Sequence, residues 1–190
     1  MLVFQLMERR GFVRVAAVGA LGALVGSPAE ASLGRAVRLQ ELTARSQHVV
    51  LGETLDADSV WEQVGRRKHI VTYSRVRALE LLAGADPHQD ELLVRTLGGY
   101  IGELGELVHG EASLAIGSRS LLFVMPVPNA LAITAMAQGH YPLLRDKTGA
   151  ERLQRSPHAA ELLGEPGAAV TRLPGLQLSE ARSLLKPVRK

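Results

Sequence analysis

The stretch TLGGYIGELGELVHGEASLAIG, Thr96 to Gly117, holds six glycines in twenty-two residues. Two readings compete for it. A phosphate cradle needs a strand, glycines at fixed spacing and then a helix whose free N–H groups face the anion. Gly98 and Gly99 do follow a strand-like run, LLVRTL, but neither G-x-G-x-x-G nor G-x-x-x-x-G-K-[ST] is present. A helix after the first glycines would have to carry Gly102, Gly105 and Gly110 inside it, each costing about 1 kcal/mol relative to Ala. The stretch therefore reads as backbone turning between β-strands, a hairpin with wide turns and a close backbone approach. That speaks against a phosphate-loop enzyme.

Working outward, His48 to Gly52 (HVVLG) is a compact β-branched strand. In IVTYSRVRALELLAG, Ile70 to Gly84, Ile70, Thr72, Val76 and Ala78 share one parity and Tyr73, Arg75 and Arg77 the other. This is a half-buried strand with a polar outer face, and the broken parity at Leu79, Leu81 and Leu82 predicts a bulge. Between the two, DADSVWEQVGRRKH reads as a loop, with Asp56, Asp58, Gly65 and a run of basic residues. In that loop Trp61, the lone tryptophan, either plugs one end of the domain or anchors a ligand. Further strands are expected in ELVHGEA, SRSLLFVMPV, LAITAMAQG and HYPLLRD. Short strands at regular spacing mark a barrel or sandwich.

Helices flank this pattern. Val37, Leu39, Leu42 and Ala44 fall on helical spacing and predict an amphipathic helix over Arg35–Ser46. LSEARSLLKP predicts a terminal helix with Ser179 as N-cap and Pro187 as its stop. Beyond Gly149 the chain mixes Pro and Gly with short apolar runs, so three segments are expected: a leader over 1–31, a β domain with its leading helix over 32–149, and a tail over 150–190.

Of the 190 residues, 46% are hydrophobic and 22% charged, ordinary values for a globular core. Aromatics at 4% leave too few rings for a stacking platform for single strands. The net charge of +3 is accounted for by the last forty residues, which hold seven basic and four acidic side chains. Cysteine is absent, which rules out disulfides, thiolate nucleophiles and cysteine-bound zinc.

The first residues read as an address. Arg9, Arg10 and Arg14 form a basic region, Val15 to Ala29 is uncharged, and Ala29-Glu30-Ala31 presents small residues where a signal peptidase reads, with cleavage expected between Ala31 and Ser32. The uncharged run is short of the roughly 20 residues that span a bilayer. RRGFVR, led by Arg9 and Arg10, resembles the twin-arginine export motif, with Glu8 where Ser or Thr is usual. Twin-arginine and general export both remain open, as do Met1 and Met7 as the start. The mature chain is expected to be periplasmic or extracellular, with no transmembrane span.

Several pieces together carry a resemblance: SQHVVLGET, the Trp61 segment, IVTYSRVRALELLAG, LVRTLGGYIGELGELVHGEASLAIGSRSLLFV and ITAMAQGHYPL. Over about Ser46 to Leu144 they resemble a group of uncharacterised exported bacterial β-domain proteins that share V-V-x-G, T-x-G-G-x-x-G, V-x-G-E-A and A-Q-G. That resemblance carries no activity to transfer. At fold level the order of helix, V-V-x-G strand and five or six strands is similar to OB-like and netrin-module barrels. It implies a small, mainly β, OB-like antiparallel barrel of six to seven short strands with a short helix at each end. The metalloprotease inhibitors of the netrin group use an N-terminal cysteine, which this chain lacks.

Six histidines all lie beyond the leader, and none forms H-E-x-x-H. His109 and Glu111, two apart on an expected strand, would share a face; with His140 they would make a candidate metal site for an assisted hydrolysis. No G-x-S-x-G elbow is present, and isolated acidic pairs do not make a glycosidase. The first expectation is an exported, non-enzymatic domain that binds a partner protein or envelope component, without cofactor or nucleic acid. The alternative is the metal-assisted hydrolase on His109, Glu111 and His140.

Overall fold

The computed structural model describes residues 35–159 and 167–185. The leader, with Arg9, Arg10, Ala31 and Ser32, lies outside the described residues, as do 160–166 and the chain from 186 onward. The fold is mainly β. In chain order it comprises α1 (Leu39–Arg45), β1 (His48–Val64), β2 (Arg67–Gly84), β3 (Glu91–Leu97), β4 (Gly99–Ile101), β5 (Leu104–Glu106), β6 (Arg119–Val127), β7 (Ala130–Ile133), β8 (His140–Arg145), β9 (Glu151–Leu153), α2 (Ala169–Arg172) and α3 (Leu178–Leu185). No helix among the described residues is long and apolar enough to cross a membrane.

Seven strands form one sheet in the order β1-β2-β3-β7-β6-β8-β9, and β1 also pairs with β6. The pairings β1–β2, β2–β3, β3–β7, β7–β6 and β6–β1 thus run round a ring. Only β3–β7 is parallel; the other four pairings of the ring are antiparallel.

The strands carry two cores because alternate side chains point to opposite faces. From β1 and β6, Val50, Leu122 and Val124 join Val76 of β2, Leu92 and Val94 of β3 and Ile133 of β7 in one buried cluster, to which Ala112 and Leu114 are added. Every strand of the ring contributes to it. The neighbours Val49, Leu51, Leu121 and Phe123 point the other way, into a second cluster with Tyr141, Leu143, Leu153 and the helix residues Leu39, Leu42, Ala169, Leu173, Ala181 and Leu185. Phe123 and Tyr141 meet edge to face there, centroids 6.1 Å apart. Arg182 of α3 grips Glu80 of β2 through two nitrogens at 2.6 Å. The outer face of β1 and β6 is therefore closed by helices.

Three expectations change. Asp56 to His69 is not a loop: β1 continues to Val64 and β2 starts at Arg67, with the pair in register down to Val64↔Arg67. Acidic residues at Asp56 and Asp58 mimic a loop signal because that part of β1 is solvated, yet they alternate with half-buried Ala57 and Ser59 at the strand period. Trp61 is accordingly a strand residue. ELVHGEA is not a strand beyond Glu106; Leu107 to Ala115 is irregular, and its apolar Ala112 and Leu114 pack inside the ring rather than on a sheet face. LAITAMAQG is a strand only to Ile133, then a 3-10 turn over Met136–Gly139. The bulge expected in β2 appears as register shifts in its pairing with β1.

The glycines of the opening stretch turn between strands. Gly98 and Gly99 have φ of +89° and +136°, and a strand, β4, follows instead of a helix. A Cβ on Gly99 would lie 2.2 Å from Thr72 Oγ1 and 2.6 Å from Ser59 Oγ. This is the close approach that packs β4 onto the β1–β2 pair. Gly99→Val is expected to destabilise the domain by about 1–3 kcal/mol in urea unfolding. Gly102→Ala, at φ +59° with open space around it, should lose less, and ATP should leave the wild-type melting temperature unchanged.

Candidate binding site

The residues singled out for metal chemistry lie in different surroundings. His109 is exposed in the irregular segment after β5, and His140 is buried at the start of β8. His140 Nε2 is 3.1 Å from Ser120 Oγ, and its Nδ1 is 3.3 Å from Ser156 Oγ. Both serines are as buried as the ring itself, so this serine–histidine contact has no face open to a substrate. Glu111 accepts a hydrogen bond from the backbone N–H of Ala112 at 3.0 Å, and burial pushes its carboxyl above the usual range. Among the described residues no three His, Asp or Glu side chains gather where they could hold a metal ion.

A different region stands out. β1 pairs with β6 only from His48 to Glu53; from Thr54 it pairs with β2 alone. β2 meets β3 only from Val71. The pairs Trp61↔Ile70, Glu62↔His69, Gln63↔Lys68 and Val64↔Arg67 therefore form a two-stranded arm that leaves the ring and turns at Gly65, whose φ is +61°. The β4–β5 hairpin is fixed beside it. Glu106 accepts a hydrogen bond from Ile70 N–H at 2.6 Å and is hydrogen-bonded to His69 Nδ1, and these contacts hold its carboxyl below the usual range.

Large apolar side chains remain exposed on these two elements and just after them: Trp61 at 51%, Tyr100 at 80%, Leu104 at 61% and Leu107 at 69%. Tyr100 lies over Gly105, its cross-strand partner, where a Cβ would stand 2.6 Å from the ring.

The outer face of β1, β2 and β3 is laced with ion pairs. Arg95 of β3 donates to Glu62 Oε1 at 2.8 Å and Oε2 at 3.3 Å, and the Tyr73 hydroxyl donates to Oε2 at 2.8 Å. Arg95 first and Tyr73 second hold the Glu62 carboxyl below the usual range, while the same hydrogen bond to Glu62 pushes the Tyr73 phenol up. Arg75 bridges Asp56 and Glu91, and Arg77 lies 3.6 Å from Glu53. At the tip the pattern stops: Arg66, Arg67 and Lys68 are exposed and form no ion pair among the described residues. In the sequence these three are visible as a basic run. The Glu62–Tyr73–Arg95 group is not, because its members come from three strands and Glu62 and Arg95 are 33 positions apart.

That group makes a pH prediction. A carboxyl held low contributes stability above its unfolded value, about 4.3 for Glu, and loses that contribution as pH falls through its lower folded value. Wild type should thus lose stability on acidification below about pH 4, and Glu62→Gln should remove part of that slope. Arg95→Ala should cost about 1 kcal/mol at pH 7, the scale of a partly solvated charged hydrogen bond. Urea unfolding at several pH values measures both.

No protein-family model, curated protein or solved structure matches the chain.

Proposed function

We propose that this chain is an exported, non-enzymatic domain that binds a partner protein or envelope component through the β1–β2 arm and the hairpin beside it. The observation that carries the reading is the set of large apolar side chains left in solvent there, above all Trp61 and Tyr100. Side chains of this kind dominate binding surfaces. A chain with one tryptophan and three tyrosines spends two of these four on an exposed projection, while Tyr141 is buried in the core.

The architecture is read as a small OB-like barrel. Support comes from the ring order β1-β2-β3-β7-β6-β1, with its single parallel pair β3–β7, and from the apolar cluster that takes side chains from every strand of the ring. In OB-folds the loop between the first two strands and the face of the second and third carry ligands. Here these are the arm and the ion-paired face of β2 and β3. Export is read from the leader, with Arg9 and Arg10 ahead of the apolar run and cleavage between Ala31 and Ser32.

Cell fractionation and N-terminal sequencing should find the protein outside the cytoplasm and beginning at Ser32; an intact amino terminus in the cytoplasm would overturn export. Pull-down from envelope extract should retain a partner that Trp61→Ala releases. The melting temperature should stay unchanged, since an exposed substitution shifts stability by about 0.5 kcal/mol or less. A partner retained equally by Trp61→Ala would remove the arm from the interface.

A further inference from the structure

We propose that the tip of the β1–β2 arm docks on an anionic lipid surface, with Arg66, Arg67 and Lys68 meeting the headgroup phosphates and Trp61 seated at the interface. The inference rests on the reading of the arm as a contact surface and names its partner.

Charge is the first argument. From Gln63 to Lys68 the arm carries three cations and no acid. The acids nearest along the strands are committed elsewhere: Glu62 to Arg95 and Tyr73, and Glu106 to His69 and the backbone of Ile70. Arg75, Arg77 and Arg95, lower on the same strands and on β3, are each held by a carboxylate. On these three strands the tip is where, among the described residues, positive charge has no carboxylate partner, and it faces solvent. Each Lys or Arg is attracted to an anionic leaflet, so three at the surface raise partitioning by on the order of 100-fold at low salt.

Shape and side-chain chemistry agree with that. Beyond Ile70 and His69, which β5 holds through Glu106, the tip pairs Gln63↔Lys68 and Val64↔Arg67 have no third strand paired with them, so the three cations sit on a narrow two-stranded ribbon. Its backbone edges are polar, which keeps it among headgroups and out of the hydrocarbon. Trp61 is half exposed on this ribbon, and tryptophan settles where an apolar ring can be buried while its N–H stays hydrated. A nucleic-acid groove would require cations tracking the backbone over many phosphates; here they are confined to one turn.

Trp61 is the chain's only tryptophan, so its fluorescence reports on the arm directly. The full-length chain should show a blue shift on vesicles of phosphatidylglycerol and phosphatidylcholine, and little on phosphatidylcholine alone. Arg66→Gln, Arg67→Gln and Lys68→Gln together should weaken the response by on the order of 100-fold without altering the melting temperature, and 0.5 M salt should suppress it by screening (the Debye length falls to about 4 Å). An uncleaved leader adds the same affinity to wild type and variant, so their difference belongs to the tip. No shift on anionic vesicles, an equal shift on phosphatidylcholine, or an equal shift with duplex DNA would each overturn the inference. If vesicles fail while an envelope protein is still captured through Trp61, the lipid assignment falls and the binding reading stands. If both fail, the arm is not a contact surface.

Discussion

The first five residues of β1 are buried and paired on both edges, and the rest of the structure depends on that. Val49 and Leu51 enter the helix-covered core while Val50 enters the ring. At the end of this segment Gly52 pairs with Ala78 on one side and Ser120 on the other. A Cβ there would stand 2.4 Å from Val76 Cγ1 and 3.5 Å from Leu122 Cδ1. The missing side chain lets β2 and β6 approach the same strand where it bends. A larger residue would press into the ring's own cluster, against Val76 and Leu122.

Past that point the same strand changes its role. Register shifts between Leu51 and Gly52 and between Thr54 and Asp56 bend it away from β6 and free it to run out along β2. With little apolar cover, the arm is held by its ladder to β2, by Glu106 at the backbone of Ile70, and by the ion pairs that tie Asp56 and Glu62 to arginines on β2 and β3. Individually such surface pairs are weak. Placed in series along one face, they fix the direction of a projection that has no core of its own.

What was legible in the sequence follows burial. His48 to Gly52, Ile70 onward, LLVRTL and SRSLLFV show their strands because one face or both are apolar, and LSEARSLLKP shows its helix because Ala181 and Leu185 are buried at helical spacing. The arm reads as a loop because the alternation of Asp56 and Asp58 with Ala57 and Ser59 is only half buried, and such a weak parity is outweighed by the acidic residues and Gly65. ELVHGEA failed for the opposite reason, since Ala112 and Leu114 are buried as a plug with no strand beneath them. β9, three residues long, is too short for periodicity to speak. The candidate site was half visible. A basic run and a lone tryptophan can be seen in one dimension, but the carboxylates that neutralise other arginines and leave these three alone come from distant strands.

The connectivity also orders assembly in time. β1 and β2 are neighbours joined by a tight turn, whereas β1 and β6 join residue 48 to residue 124. Local hairpins close in microseconds, and distant pairings wait on the entropy of a long loop. As the chain emerges, β1 can find β2 long before β6 exists. During that interval Val49, Val50 and Leu51 line an unpaired edge with neither core to bury them, which is the template on which half-made β chains stick to one another. The strand that organises the finished molecule is therefore also its main hazard during folding.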